Sequence, residues 1–518
     1  MAILGKLLKR GISLRESLEQ DYSSAIELQK AELKRLLIAA RNTSFGKYHY
    51  FKTILNGFKV LDNDTFYQFY KSNVPIFDYD TIHDQWWYRS LDGEKNICWP
   101  GKVKYFALSS GTAGASSKYI PITSDMHKSM QKTGVRQILT LSKYDLPEEF
   151  FLKDTLLIGG STHLKFNGKY YAGDLSGITA GNMPFWFQRF QKPGKKIARK
   201  SDWDDKLNEI VLNAQKWDIG IVAGVPAWVQ ILVEKVIAHY EVSTIHDIWP
   251  NFKVFVHGGV SIEPYRQGFD KLLGEKLIYL ETYLASEGFL AYKANPQSVG
   301  MRLVLNNGIF YEFIPFNEDN FVVDGQLRVK PQTLKIDEVE EGKQYAILIS
   351  TKAGAWRYLI GDVVKFISLE DSEIIITGRT KHFLSLCGEH LSLENMNKAI
   401  QLSAAELNIE IKEFTVTGEK SGSLFAHRWY VGTDDHVNSE LFKRKLDNYL
   451  TQLNDDYGVE RKAALRDIFI EVLPSHCFYD WLKQQGKQGG QHKFPRVLSK
   501  ERLISWQTYL KSILVSEE

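Results

Sequence analysis

Ten residues decide the fold of this chain: positions 109–118 read SSGTAGASSK and follow a predicted strand at 103–108. Glycines let backbone N–H groups turn toward an anion, hydroxyls donate to phosphate oxygens, and Lys118 adds positive charge. The stretch is not a Walker A loop, because that motif requires Gly-Lys where this chain has Ser117-Lys118. It is either a phosphate-binding loop or a flexible connector, since turns favour the same residue types.

Downstream of this loop, short apolar runs alternate with segments of helical periodicity. The predicted strands cover 154–160, 219–224, 253–257 and 277–281, and the predicted helices between them cover 204–215 and 226–240. This alternation is typical of βαβ units in a parallel sheet. Upstream, apolar residues spaced by three or four positions between 18 and 40 predict an amphipathic helix that packs on the main body.

The remaining chain changes character twice. Four β-rich runs without intervening helices, at 308–314, 345–351, 363–367 and 373–377, predict a second sheet or barrel-like layer. After Gly378 a predicted helix at 393–407 and strands at 411–416 and 424–431 precede helix-rich segments. We therefore predict an α/β fold with a large domain, residues 1–378, and a smaller, mobile α+β C-terminal domain, residues 379–518.

Composition excludes several classes of partner. Lys and Arg number 65 against 62 Asp and Glu, so the formal net charge of +3 gives no electrostatic footprint for nucleic acid. The three cysteines show no CxxC or zinc-ligand spacing, which favours a reducing cytoplasm. No run of about 18 apolar residues occurs, so we expect no membrane partner. The oligomeric state stays open.

Two further segments carry polar residues at predicted strand ends. Residues 281–288 read ETYLASEG, in which a carboxylate can hold Mg²⁺ and an aromatic ring can cover a base; the alternative is a loop with a helix cap. Residues 356–364 read WRYLIGDVV, in which Asp362 can accept ribose hydroxyls; the alternative is an ordinary Gly-Asp turn.

The order of these segments resembles the acyl-adenylate-forming superfamily, and more closely the Gretchen Hagen family of acyl-acid amido synthetases. That family's Ser-Ser-Gly-Thr loop ending in Lys is matched by 109–118, and its Tyr-x-x-Ser-Glu element by 283–287. Its Arg-Tyr-x-x-Gly-Asp-Val-Val element is matched by 357–364, and its C-terminal Gln-x-Lys-x-Pro-Arg by 491–496. The resemblance spans the whole chain, since 42–47 is also similar.

The chain departs from the family at a few positions. Ala113 stands where many members have Ser, and Ile375 and Ile376 stand near positions that are aromatic in several plant members. These departures concern base stacking and the acyl pocket rather than the phosphate chemistry. Phe185, Trp186 and Phe187 either line an aryl-acid pocket or belong to the core.

The resemblance implies a ligase that uses ATP and Mg²⁺ to adenylate a carboxylic acid and then passes the acyl group to an amino acid. Its catalytic residues would be Lys493, Ser286 and Glu287, with Glu287 holding the metal. A hinge near 378–381 would move Lys493 toward and away from the α-phosphate. The implied ATP contacts are Ser109, Ser110, Gly111, Thr112, Gly114, Lys118, Gly258, Gly259, Tyr283, Ser286, Asp362 and Arg379.

Two alternatives stay open. An acyl-CoA ligase, or another adenylating enzyme with a thiol acceptor, would use the same residues in its first half-reaction. A non-catalytic nucleotide-binding regulatory protein would use them only for binding. Since an adenylate is already electrophilic, we interpret His257 and Cys387 as buried residues rather than as a base and a nucleophile. Neither the acid nor the amine is encoded in a motif.

Lys493 gives the sharpest test of the resemblance. We predict that Lys493→Ala slows adenylate formation by about 10² to 10³, the cost of losing one preorganised charge-stabilising donor, while ATP still binds. Lys487, which lacks the surrounding motif, is the control, and Lys487→Ala should change little. Single-turnover rates of both half-reactions check this. If Lys493→Ala slows the aminolysis of a supplied acyl-adenylate as much as it slows adenylate formation, Lys493 does not act only in the first half-reaction.

Overall fold

The computed structural model describes residues 11, 23–57, 63–109, 118–182, 188–259, 261–322, 326–380, 384, 391, 393–421, 424–454, 457–458, 461, 465–486 and 494–514. Within these ranges the chain forms three sheets surrounded by helices. None of the described helices combines the length and the hydrophobicity that a membrane span needs.

Eighteen strands are described, numbered in chain order. They are β1 Tyr105–Ser109, β2 Lys118–Ile122, β3 Asp154–Leu157, β4 Lys165–Phe166, β5 Tyr171–Gly173, β6 Gln191–Lys192, β7 Ile219–Gly224, β8 Val254–Gly258, β9 Ile278–Ala285, β10 Gly288–Tyr292, β11 Met301–Leu303, β12 Ile309–Pro315, β13 Gln344–Thr351, β14 Tyr358–Ser368, β15 Glu373–Arg379, β16 Glu413–Ser421, β17 Leu424–Gly432 and β18 Leu465–Leu473.

An 11-stranded sheet forms the body of the large domain, in the order β12-β13-β14-β15-β11-β10-β9-β8-β7-β3-β6. The strands from β6 to β9 are parallel, as the βαβ pattern predicts, and those from β9 to β12 are antiparallel. The β-rich layer expected from the sequence is therefore part of the same sheet. The α/β class is confirmed, as is a large N-terminal unit followed by a smaller C-terminal one.

The antiparallel half of this sheet curls on itself. Four strand spacings separate β9 from β14, so a flat sheet would hold them about 19 Å apart. Nevertheless the Tyr283 hydroxyl on β9 lies 2.5 Å from the Asp362 carboxylate on β14. Register shifts in the β9–β10, β13–β14 and β14–β15 pairings are the irregularities that bend strands in this way. The expected barrel-like layer therefore corresponds to the curved antiparallel half of this sheet.

The longer helices cover the faces of the sheets. Those of at least seven residues are Ala25–Ala40, Phe51–Gly57, Asn63–Asn73, Ser124–Leu139, Leu175–Gly181, Trp203–Asn213, Pro226–Tyr240, Arg266–Leu272, Leu393–Leu407, Ser439–Leu453, His476–Gln484 and Lys500–Leu514. Shorter α-helical segments are Ser44–Tyr48, Tyr79–Ile82, Tyr88–Leu91 and Lys195–Ala198. Ser24 and Glu27 form a reciprocal capping box that begins the predicted amphipathic helix, whose Leu33, Leu36 and Ala40 are buried.

The C-terminal part contains a three-stranded sheet in the order β16-β17-β18. Helices Leu393–Leu407 and Ser439–Leu453 pack on it around a separate apolar core. The sequence predicts helix-rich segments after 431, which is wrong for β18, a strand that pairs in parallel with β17. A small sheet, β2-β1-β5-β4, was likewise not predicted. The domain boundary at 378 and the hinge stay predictions.

A buried ion pair fixes the beginning of β14. The Arg357 guanidinium donates through Nε to both Glu312 carboxylate oxygens at 3.0 Å, and only 5 % and 1 % of the two side chains are exposed. Arg357 also donates to the Val74 carbonyl at 2.8 Å, while the Tyr67 hydroxyl donates to Glu312 at 2.8 Å. This network ties β12 and the N-terminal helices to the strand that carries Asp362.

We predict that Arg357→Met lowers the free energy of unfolding by about 3 to 5 kcal/mol, because it leaves Glu312 buried without its charge partner. The exposed Lys343–Glu340 pair provides the control, and Lys343→Ala should cost about 0 to 1 kcal/mol. Denaturant titration measures both. The double variant Arg357→Met with Glu312→Leu should recover much of the loss; equal losses for Arg357→Met and Lys343→Ala would contradict the structural role.

Candidate functional site

The candidate site lies at the carboxyl ends of β8 and β9, the edge where open α/β sheets bind ligands. Gly258 ends β8 and pairs with Thr282 of β9. A Cβ atom on Gly258 would lie 2.4 Å from the Thr282 hydroxyl oxygen and 2.6 Å from its carbonyl oxygen, so a side chain there would push the strands apart. Gly259 follows with φ of 85°. Bare backbone is therefore presented at this edge.

Three sequence-predicted residues meet across the curled half of the sheet. The Tyr283 hydroxyl donates to Asp362 Oδ2 at 2.5 Å, and Arg379 Nε lies 2.9 Å from Asp362 Oδ1. Asp362 of β14 pairs with Arg379 of β15. Gly361, directly before Asp362, has a φ of 88°. The Asp362 side chain is 15 % exposed and that of Arg379 is 38 % exposed. A carboxylate is thus held at the edge of solvent by one hydroxyl and one guanidinium.

The electrostatics of this trio are mutually consistent. Burial raises the pKa of the Tyr283 phenol well above its ordinary value, and the adjacent Asp362 carboxylate raises it further. The same carboxylate raises the pKa of the Arg379 guanidinium. Tyr283 therefore stays a neutral hydrogen-bond donor and Arg379 stays a cation beside the Asp362 side chain.

Ser286 and Glu287 form the two-residue turn between β9 and β10, in which Ala285 pairs with Gly288. The motif 281–288 is therefore mainly strand, and a loop with a helix cap is excluded. Glu287 is buried, with 8 % of its surface exposed. Burial raises the pKa of the nearby Tyr358 phenol well above its ordinary value, and the Glu287 carboxylate raises it further. Burial raises the pKa of the Glu287 carboxyl, and the Asp362 carboxylate adds to that rise.

The donor set fits a hard cation held jointly with a ligand. Glu287 offers carboxylate oxygens, the ligand type that Mg²⁺ prefers. Among the residues described, no three His, Cys, Asp or Glu side chains group as a complete protein metal site would require. Because Mg²⁺ is commonly bound by one or two carboxylates together with substrate phosphates, a single buried carboxylate is compatible with a nucleotide-dependent metal.

Other predicted contacts are only partly visible. Ser109 is the last residue of β1, and Lys118 is the first residue of β2, with its ammonium 5.2 Å from the Tyr79 ring centroid. Tyr79 in turn accepts a hydrogen bond from the Tyr119 amide at 2.9 Å. The predictions for Ser110, Gly111, Thr112, Gly114, Phe185, Trp186, Phe187, Cys387 and Lys493 lie outside the described residues.

His257 does not join the site as a base. Its side chain is 3 % exposed, and burial lowers the pKa of the imidazole to about 3, with Arg266 and Lys293 contributing in the same direction. The imidazole is therefore neutral at physiological pH and lies against the Phe255 and Tyr279 rings. The interpretation as a buried histidine is confirmed.

Sequence reasoning assigned no role to Tyr358, whose pKa is raised by burial and by the Glu287 carboxylate. Spacing gave no signal, because a register shift with Gly361 at φ of 88° lies between Tyr358 and Asp362 and interrupts the alternation of faces. Arg357, quoted only as part of a motif, is a buried structural residue rather than a ligand contact. Its partner Glu312 lies 45 positions away and carries no local signal.

Comparison with known families identifies the chain. The fold is a large α/β unit followed by a small α+β unit. Sequence models of the GH3 family match residues 14–214 (N-terminal domain), 302–374 (central domain) and 394–502 (C-terminal domain), together more than half of the chain. The chain belongs to the GH3, or Gretchen Hagen, family, as the sequence motifs predict.

Named relatives are plant proteins. The chain is 28 % identical over 288 residues to jasmonoyl–L-amino acid synthetase JAR4 of Nicotiana attenuata, covering 52 % of this chain and 48 % of that protein. It is 26 % identical over 277 residues to indole-3-acetic acid-amido synthetase GH3.4 of Arabidopsis thaliana, covering 49 % and 45 %. The chain thus spans about half the length of the relatives it matches.

Solved structures extend the likeness in fold. The GH3.15 acyl acid amido synthetase superposes with a TM-score of 0.77 at 17 % identity, covering 97 % of this chain and 96 % of that one. A 2-hydroxyisobutyryl-CoA ligase in its postadenylation state superposes with a TM-score of 0.58 at 10 % identity, covering 93 % and 91 %. The likeness extends through both units of the chain.

We predict that Asp362→Ala weakens ATP binding by about 1.5 to 3 kcal/mol, the usual worth of a hydrogen bond to a charged group. Asp371→Ala is the control, because Asp371 is an exposed carboxylate paired with Arg302 on the same half of the sheet. Titration calorimetry measures both affinities. Unchanged ATP affinity in a folded Asp362→Ala protein would return Gly361-Asp362 to the status of a turn.

The raised pKa of Glu287 predicts that both Mg²⁺-dependent ATP affinity and stability depend on pH. Because its pKa is raised in the folded protein, the carboxyl binds a proton at higher pH than a free carboxyl, so Mg²⁺-dependent ATP affinity should fall as the pH is lowered through that pKa. Its raised pKa also means that its contribution to stability is present below the unfolded-state pKa and is lost as the pH rises through the folded-state pKa. Glu287→Gln should therefore unfold at no lower temperature than the parent at neutral pH.

The same variant should lose adenylation and the pH dependence of metal-linked ATP binding together. The three measurements are thermal unfolding, pyrophosphate release, and Mg²⁺-dependent ATP affinity at several pH values. Normal pyrophosphate release by Glu287→Gln would remove the metal assignment, and an unchanged pH profile would show that another group titrates.

Proposed function

We propose that this chain is an ATP-dependent acyl-acid amido synthetase. It would adenylate a carboxylic acid with release of pyrophosphate, and then transfer the acyl group to the amine of an amino acid with release of AMP. The meeting of Asp362 with Tyr283 and Arg379 beside the buried Glu287 is the observation that carries the proposal. Membership of a family whose relatives are named as amino acid synthetases supports the choice of acceptor.

The nucleoside end of ATP would be held by the trio. A carboxylate offers about four lone-pair positions, and Tyr283 and Arg379 occupy one on each Asp362 oxygen, which leaves capacity for the ribose hydroxyls. The Tyr283 ring would lie against adenine, and Gly258 and Gly259 would let the base approach the backbone. Arg379 would balance the charge of the acceptor carboxylate.

The phosphate end of ATP would be held by Ser286, Glu287 and the Ser/Gly-rich loop at residues 109–118. Glu287 would bind Mg²⁺ jointly with phosphate oxygens, and bound Mg²⁺ offsets phosphate charge. Ser286 would contact the α-phosphate, while Ser110, Thr112 and Lys118 would steady the departing pyrophosphate. Positioning of the acid carboxylate against the α-phosphate, rather than a covalent enzyme intermediate, would supply the rate.

The small domain would act as a moving part. Residues 1–378 would bind ATP and the acid, and a hinge near 378–381 would let residues 379–518 carry Lys493 to the α-phosphate for the first half-reaction and away for the second. We also propose the cytoplasm as the location, which the cysteine spacing supports.

An acid panel tests this function directly. Purified protein with ATP and Mg²⁺ should exchange labelled pyrophosphate into ATP only when an accepted carboxylic acid is present. Adding amino acids should then yield an amide, whereas adding coenzyme A should yield no thioester. Thioester without amide would assign a thiol acceptor instead, and ATP binding without exchange for any acid tested would assign a nucleotide-binding protein without turnover.

A further inference from the structure

A network of charged and amide side chains joins the N-terminal unit of the chain to the C-terminal unit. On the N-terminal side it involves helix Pro226–Tyr240, which carries Gln230 and Glu234, and helix Arg266–Leu272. On the C-terminal side it involves the segment 409–413, which leads into β16. The network is separate from the candidate site described above.

Two hydrogen bonds of this network cross from one unit to the other. The Lys412 ammonium donates to Glu234 Oε1 at 2.8 Å, and the Gln230 amide donates to Glu410 Oε1 at 2.5 Å. Gln230 is 3 % exposed, and the side chains of Lys412 and Glu410 are 18 % and 14 % exposed. Burial opposes the charge on Lys412, but its carboxylate partners raise the pKa of the ammonium above its ordinary value. The Lys412–Glu234 bond is therefore charge-assisted and largely shielded from water, unlike an exposed ion pair.

Gly268 leaves the space that the Glu410 carboxylate occupies. A Cβ atom on Gly268 would lie 2.1 Å from Glu410 Oε1 and 2.8 Å from Gln230 Nε2. Both atoms end flexible side chains, so a larger residue would displace them and break their hydrogen bond. Gly268 lies within helix Arg266–Leu272, where alanine is ordinarily the more stable residue. The contact between the two units therefore explains a glycine that its own helix does not favour.

Both partners of the ion pair that joins the units also have a partner in their own unit. The Lys412 ammonium lies 3.2 Å from the Asp434 carboxylate of the C-terminal unit. Glu234 accepts from Gln230 of its own helix at 3.0 Å. Breaking a buried ion pair is costly when it leaves one charge buried and unpaired. Separation of the units would leave neither Lys412 nor Glu234 in that condition, so this contact is suited to opening and closing.

We propose that the two hydrogen bonds form a latch, which holds the C-terminal unit in the arrangement described and can break and re-form. On opening, Lys412 would pass from a position shared by Glu234 and Asp434 to one against Asp434 alone. The latch itself does not depend on the proposed function. Its consequence for catalysis rests on that function: the latch would set how often the C-terminal unit leaves this arrangement between half-reactions.

Energy transfer between two fluorescent labels on single molecules of the full chain tests the latch without ATP or substrate. The labels are placed at Leu212 and Ile504, which are exposed positions on the N-terminal and C-terminal units. The parent should show one dominant distance. Lys412→Met combined with Gln230→Leu removes both bonds. It should raise the ratio of other distances to the dominant one by about a hundredfold, since each hydrogen bond to a charged group contributes about tenfold or more.

Two matched controls separate the latch from a general loosening of the chain. Lys445→Met removes an exposed ion pair with Glu406 that lies within the C-terminal unit, so it should leave the distances unchanged. Gly268→Ala should shift the distances as the loss of one hydrogen bond does, by about tenfold. Gly134→Ala, at a helix position where a Cβ atom would meet nothing within 4 Å, should not shift them.

The latch is overturned if the double variant keeps the single distance of the parent, because other contacts would then hold the C-terminal unit. Equal shifts in the double variant and in Lys445→Met would also overturn it. Thermal unfolding shows whether each variant is folded. If the double variant does not fold, Glu234→Gln breaks the ion pair from the other side and should give about a tenfold shift, and its absence would contradict the latch. A failure of the proposed reaction leaves these distances unaffected, so the two proposals fail separately.

Discussion

The hydrogen bond between Tyr283 and Asp362 depends on a constraint that governs the whole candidate site: the antiparallel half of the main sheet must curl until β9 and β14 meet. The two residues are 79 positions apart, and three strands lie between theirs in the sheet. Register shifts along β9, β13 and β14 permit the curvature. Without it, Asp362 and Arg379 would lie far from the backbone edge at Gly258.

A second set of buried polar contacts holds the curled strands in place. Arg357 and Glu312 pair across β12 and the beginning of β14. Nη1 of Arg357 donates to carbonyls of the N-terminal helical region, and Nη2 donates to the Thr333 hydroxyl. Buried ion pairs of this kind add specificity of arrangement more than net stability, since desolvation offsets much of their attraction. In this chain the pair sets where β14 starts, four to five residues before the acceptor carboxylate.

The sequence predicted what is local and missed what is distant. The apolar runs gave β7, β8, β13 and β15 nearly to the residue, and motif order gave the family. Tyr358 with Glu287, and Tyr283 with Asp362, could not be paired, because no periodicity within a strand states how far a sheet curls. β18 was missed because its polar residues, Arg466, Asp467 and Glu471, obscure the strand pattern. The predicted strand at 277–281 ends four residues too early, because the apolar run stops there while β9 continues to Ala285.

The central claim is that Asp362 is a preorganised acceptor for ribose hydroxyls. The most direct measurement compares the affinities of ATP and 2′,3′-dideoxy-ATP in the parent protein and in Asp362→Asn, as a double-mutant cycle. The claim predicts that removing the hydroxyls costs the parent at least about tenfold in affinity and costs Asp362→Asn little. The same loss in both proteins would mean that Asp362 and the ribose do not interact, and would contradict the account.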